Sequence, residues 1–134
     1  MGKRHFIDHF HTCFVLKALV KIEILTGDPK CTQAIERGVG YYVRNLFDER
    51  GLPRPFLRRP RLTVYRRELY EYAECVNLAI LLRGRFPELD EILSIVLKEI
   101  LATWQKPDGS FRSRQLLLGW DDTPVHRWGQ SQMF

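Results

Sequence analysis

Cysteine is scarce in this chain of 134 residues, and its three copies, Cys13, Cys31 and Cys75, form no C-x-x-C pair. That argues against a disulfide framework or a zinc-binding knuckle. Each cysteine sits in an apolar helical pattern, where the residue behaves as a small hydrophobe, so reduced structural thiols are expected. Long apolar runs are missing too, because Lys17, Lys21 and Glu23 interrupt the longest candidate. No membrane-inserted segment is expected. With no signal-peptide pattern at its start, the sequence reads as cytoplasmic. A Gly-rich phosphate loop, a zinc-spaced Cys/His set and a nucleophile elbow are all absent from the sequence, so no cofactor is expected.

What is present is apolar and locally basic. At 45% hydrophobic and 12% aromatic, residues 1–134 have material for one domain with a real core. The net charge of +5 comes from one patch: setting aside Arg54, Arg58, Arg59, Arg61, Arg66 and Arg67 leaves −1. These six occupy a single proline-containing loop, whereas nucleic-acid binding prefers basic residues spread along a helix or sheet. A compact anionic ligand, or a loop that is merely solvated, fits better, and no nucleic-acid partner is expected.

The chain also nearly repeats itself. Pro29 answers to Pro87 and Gly51 to Gly109, each 58 residues on, with a long helical pattern between proline and glycine in both copies. Two helices and two unlike turns per unit describe helical hairpins stacked side by side. The spacing predicts helices over about 8–25, 30–47, 69–83 and 88–105, with long loops over 48–67 and 106–123. A short extended piece is expected at 62–65, and a fifth helix from Pro124. The repeat units are then about 8–67 and 68–123. The first and third helices are apolar almost all round and the second and fourth are amphipathic, which predicts inner and outer positions. Both long loops lead from an outer helix into an inner one, so loops and inner-helix N-termini should gather at one end. Free backbone N–H groups there, together with the arginine loop, predict an anion-tolerant pocket.

Gln105-Lys106-Pro107-Asp108-Gly109-Ser110-Phe111 resembles the Gln-x-x-Asp-Gly-Ser-aromatic turn of the prenyltransferase and squalene-cyclase repeat. Asp8-His9-Phe10-His11-Thr12-Cys13-Phe14 and Arg127-Trp128-Gly129-Gln130 resemble motifs of related proteins similar to six-hairpin glycosidases, often associated with bacterial polysaccharide synthesis. The resemblance implies an all-α (α/α) toroid. This chain, with about five helices and two long loops, would be a partial ring like a C-terminal portion. It also implies a carbohydrate-related role, with an acidic sugar or glycan as ligand; the alternative is a non-catalytic scaffold or interaction module. Around the third helix the family pattern Asp-x-His-x-x-x-Gln is replaced by Glu68, Tyr70 and Glu74.

Three clusters are candidate site residues. Glu68, Glu71 and Glu74 precede or open the third helix, and paired carboxylates suit glycoside cleavage or proton transfer at a sugar carbon. Arginine–carboxylate pairing that orders the loop is the competing role. Asp8, His11, Arg58, Arg59, Arg66, Tyr70, Arg127, Trp128 and Gln130 are the candidate ligand-binding residues. Asp8 serves equally as an N-cap, and Trp128 and Arg127 equally as wall packing and an ion pair to Asp121 or Asp122. Although His5, Asp8, His9 and His11 hold ligand-type side chains, residues two apart on a helix point about 200° apart, and no metal is expected. Two hairpins and a fifth helix cannot close a ring. Exposed apolar walls are rare on soluble monomers, so a homodimer, or association with the missing hairpins, is expected.

Overall fold

The computed structural model describes residues 7–58, 64–123 and 131–133. Two helical hairpins and a small antiparallel sheet account for them. The first helix, α1 (His9–Thr26), starts at Asp8, whose Oδ1 accepts the His11 N–H at 2.8 Å, and stops at Gly27, whose φ is 65°. Glycine suits that left-handed C-cap because it has no Cβ to clash. Asp28 then caps through the Lys30 N–H and Pro29 supplies a preset φ, so α2 (Pro29–Asn45) begins at once. The second hairpin joins α3 (Leu69–Leu81) to α4 (Pro87–Glu99) with Pro87 in the same role.

The fourth helix is shorter than its periodicity suggests. Residues Ile100–Trp104 widen into a π turn in which the Gln105 N–H bonds the Ile100 carbonyl at 2.9 Å. This sets the buried Trp104 ring 4.8 Å from Tyr72 and 5.2 Å from Trp120. Packing of one large indole offsets the poorer backbone geometry.

Neither long connection is simply a loop. β1 (Tyr65–Glu68) pairs with β2 (Arg114–Leu116), which pairs with β3 (Trp120–Asp121), giving the order β1-β2-β3. The extended piece expected at 62–65 is instead Tyr65–Glu68, with Leu62 and Thr63 outside the described residues. The sheet ties the two connections together in front of α3, whose first N–H, from Leu69, bonds Ser113 O at 2.9 Å.

The turns that follow the second helix of each hairpin have the same bonding, displaced by 58 residues. Phe47 bridges Pro53 and Gln105 bridges Phe111; Asp48 N–H reaches Leu52 O at 2.9 Å and Lys106 N–H reaches Ser110 O at 2.7 Å. Gly51 and Gly109 both hold positive φ, 74° and 84°.

α1 packs on α2 and on α3, and α3 on α4, so each hairpin gives its first helix to the shared centre. The core runs through Cys13, Leu16, Ile35, Val39 and Tyr42 into Tyr72, Cys75, Leu78, Leu89 and Val96. At Gly38 the two helices of the first hairpin come so close that a Cβ would lie 2.6 Å from Leu16 Cδ2. α3 is buried along most of its length, as its apolar pattern predicts. α1 departs from that expectation: Val15 is 61% and Leu25 83% exposed, and Ile22 and Ile24 also face out. Its neighbours α2 and α3 cover only part of it. The fifth helix expected from Pro124 lies largely outside the described residues; Ser131–Met133 form a short helix, α5, against α3. No described helix is long and apolar enough to cross a membrane.

Candidate functional site

The arginine loop is built on a fixed backbone. Asp48 Oδ1 accepts the N–H groups of Arg50 and Leu52 at 2.9 and 3.0 Å, which closes the turn through Gly51. The chain then runs antiparallel to the start of α1: Asp8 bridges Phe56, His9 N–H bonds Pro55 O at 2.9 Å, and Leu57 N–H bonds Ile7 O at 3.0 Å. Arg54 is held on both sides, its N–H on Leu46 O at 2.9 Å and its carbonyl on His9 Nδ1 at 3.1 Å.

Between this segment and β1 lies a cavity of about 330 Å³, lined by Asp48, Pro53, Arg54, Pro55, Phe56, Leu57, Arg66 and Arg67. That is the lower end of the size range of small-ligand pockets. The three arginines differ. Arg67 is committed, with Nη1 donating to Tyr72 OH at 2.9 Å and Nη2 to Asp48 Oδ2. Among the described residues Arg54 and Arg66 form no ion pair, and both are exposed at the cleft. Arg58 is exposed and lies outside the lining, while Arg59 is outside the described residues.

The carboxylates gather where α3 begins, and each has a partner. Glu68 Oε1 takes Arg114 through Nε and Nη2, both at 2.9 Å. Glu71 is buried and accepts the Glu68 N–H at 2.9 Å in a capping box. Burial first, and the Glu68 charge second, push its carboxyl well above the usual range. Glu74 is buried with Oε2 2.5 Å from Lys17 Nζ. The arginine pairing expected of this cluster therefore takes other partners: Arg67 turns to Asp48, and Arg114 serves Glu68. Neighbours on a strand point to opposite faces, so Arg67 and Glu68 cannot share one. Tyr65, on the same strand, is pushed up to about 12 by burial and by the charges of Glu71 and Glu68.

At the start of α1, the two histidines part. His9 is fully buried, with Nε2 2.6 Å from Tyr42 OH, and burial lowers it to about 3. His11 points outward with a side chain 65% exposed, its Nδ1 2.6 Å from Asp8 Oδ2. Asp8 itself is buried and serves as the N-cap. Phe10 and Phe14 flank the His11 ring at 4.1 and 6.1 Å, and Tyr70 joins them in a cluster of inclined rings, 5.3 Å from Phe10 and 6.4 Å from Phe14. Among the described residues no group of three or more His, Cys, Asp or Glu converges as a metal site. Arg127, Trp128 and Gln130 lie outside the described residues; Asp122, weighed as a partner for Arg127, meets Arg112 Nη1 at 3.5 Å.

Sequence reasoning counted Arg54 in the basic patch without choosing it as a ligand-binding residue, and gave no site role to Asp48, Lys17 or Arg114. The signal for Arg54 was available, since the 58-residue repeat aligns it with Arg112. No protein-family model matches the chain, and neither the curated proteins nor the solved structures contain a significant match to it.

Proposed function

We propose that this chain is a partial (α/α) toroid domain of polysaccharide biosynthesis or modification that binds an acidic sugar or glycan where α1 and α3 begin. The observation that carries this reading is the cleft in which Arg54 and Arg66 stand without carboxylate partners among the described residues. A guanidinium exposed in a concave site is a ready receptor for a planar anion. The ring cluster of Phe10, Phe14 and Tyr70 at the same end of the helices supplies aromatic faces of the kind a sugar ring stacks on.

A thermal-shift screen of acidic oligosaccharides and nucleotide sugars tests it. A ligand at 100 times its dissociation constant adds about 2.7 kcal/mol of stability. If no acidic sugar shifts the melting temperature, the reading fails.

A second reading, a non-catalytic scaffold, draws support from the acids: Glu68, Glu71 and Glu74 are each engaged within the fold. The uncovered apolar side of α1 fits either reading and supports a homodimer, or a partner supplying further hairpins. Light scattering distinguishes these: a stable monomer at micromolar concentration contradicts the homodimer.

A further inference from the structure

The two equivalent turns place one arginine each at the same backbone position. Arg54 N–H bonds Leu46 O at 2.9 Å, and Arg112 N–H, 58 residues on, bonds Trp104 O at 2.8 Å. The next helix start repeats the match, since His9 N–H bonds Pro55 O and Leu69 N–H bonds Ser113 O, both at 2.9 Å. Two guanidiniums thus leave the same scaffold, and their surroundings differ. Arg112 has Asp122 at 3.5 Å and lies over the Trp120 ring, 4.9 Å from its centre. Arg54 has no carboxylate among the described residues and opens instead on the cleft, beside Phe56 and Arg66.

We propose that the cleft takes a uronate, a sugar carrying a carboxylate, and that this carboxylate meets Arg54 as Asp122 meets Arg112. The inference rests on the reading of the cleft as a glycan site and names the ligand's charged group. Arg112 has its carboxylate within the chain, and Arg54 has none among the described residues. Arg112 meets Asp122 through one nitrogen at 3.5 Å; a mobile ligand carboxylate can go further and take a guanidinium fork in two parallel hydrogen bonds. Arg67 is held in place and its charge offset by Asp48 and Tyr72, so it is the weaker anion partner of the lining. Arg66 is the second cation of the lining with no ion pair among the described residues. Asp48 also lines the cleft, and it disfavours a phosphate monoester of nearly two charges more than a carboxylate of one.

The test is isothermal titration calorimetry of the whole chain with four probes: a glucuronate-containing tetrasaccharide, its carboxyl-reduced form, a sulfated tetrasaccharide and a sugar phosphate. The uronate is expected to bind, and reduction of its carboxyls to weaken binding about tenfold or more, the scale of one charge-assisted contact. Arg54→Gln is expected to weaken it similarly, with Arg66→Gln as a second variant, while Arg112→Gln leaves affinity unchanged. Melting curves of each variant establish that it is folded. Equal binding of the carboxyl-reduced sugar, or tighter binding of the sulfated or phosphorylated probe, overturns the inference and leaves the acidic-glycan reading open only for those anions. Absence of binding by every acidic probe overturns both.

Discussion

The imidazole of His9 and the phenol of Tyr42 meet at 2.6 Å in the fully buried core. The other ring nitrogen, Nδ1, faces the Arg54 carbonyl, which only accepts, so Nδ1 carries the proton and Tyr42 donates to Nε2. The phenol oxygen in turn takes the Cys13 thiol at 3.4 Å. A neutral chain of hydrogen bonds thus runs from the helical core to the backbone of the arginine cleft.

Two buried groups, His9 in this chain and Glu71 at the start of α3, predict opposing pH effects. His9 is lowered to about 3 from 6.5, so between these values the unfolded state binds the extra proton. Its contribution is complete above pH 6.5 and is lost as pH falls, with a slope approaching about 1.4 kcal/mol per unit. Glu71 is raised, so its contribution is present below the unfolded value and is lost as pH rises. Glu71→Gln, which keeps an acceptor for the Glu68 N–H, is therefore expected to stabilise the protein more at pH 7.5 than at pH 4.5. Urea unfolding at both pH values checks this; an equal effect at the two would mean that Glu71 is not a buried acid.

A Cβ on Gly38 would lie 2.6 Å from Cδ2 of the buried Leu16, so that side chain would have to shift. Overpacking costs about 1–3 kcal/mol, against about 1 gained from alanine's helix propensity. Gly38→Ala is expected to destabilise the wild type and to become neutral or stabilising in a Leu16→Ala background. A stabilising effect in both backgrounds would contradict the close packing of α1 on α2.

Arg67 and Arg58 stand in the same basic stretch and should behave differently. Arg67→Met removes bonds to Asp48 and Tyr72 and is expected to cost on the order of 2–3 kcal/mol in urea unfolding. Arg58→Ala removes an exposed charge and should stay within about 0.5 kcal/mol. Equal costs would mean that the loop is ordered by its charge as a whole.

The helix starts and turns of the two hairpins were legible in the sequence because prolines at helix starts and glycines at positive φ act through local backbone geometry. Pro29, Pro87, Gly51 and Gly109 need no tertiary context to be read. The sheet was not legible, since its strands are two to four residues long and carry no alternating pattern. Partner choice was hidden for a related reason. Whether Glu68 meets Arg67 or Arg114 depends on strand register, and an adjacent arginine points the wrong way. That a partial ring leaves an apolar wall was legible, but not that the wall falls on α1 while α3 is covered, because apolar periodicity gives the faces that seek cover and not the neighbours that provide it.

The central claim is that an acidic sugar binds at the arginine cleft. Titration of a glucuronate-containing tetrasaccharide into isotopically labelled protein, followed through backbone amide and arginine side-chain NMR signals at low salt, tests it most directly. The account predicts saturable shifts at Arg54, Phe56, Leu57 and Arg66, weakening as salt screens the charges, with Arg44 on α2 and Lys98 on α4 unmoved. Shifts spread evenly over the basic surface, or none at the cleft at millimolar sugar, would contradict it.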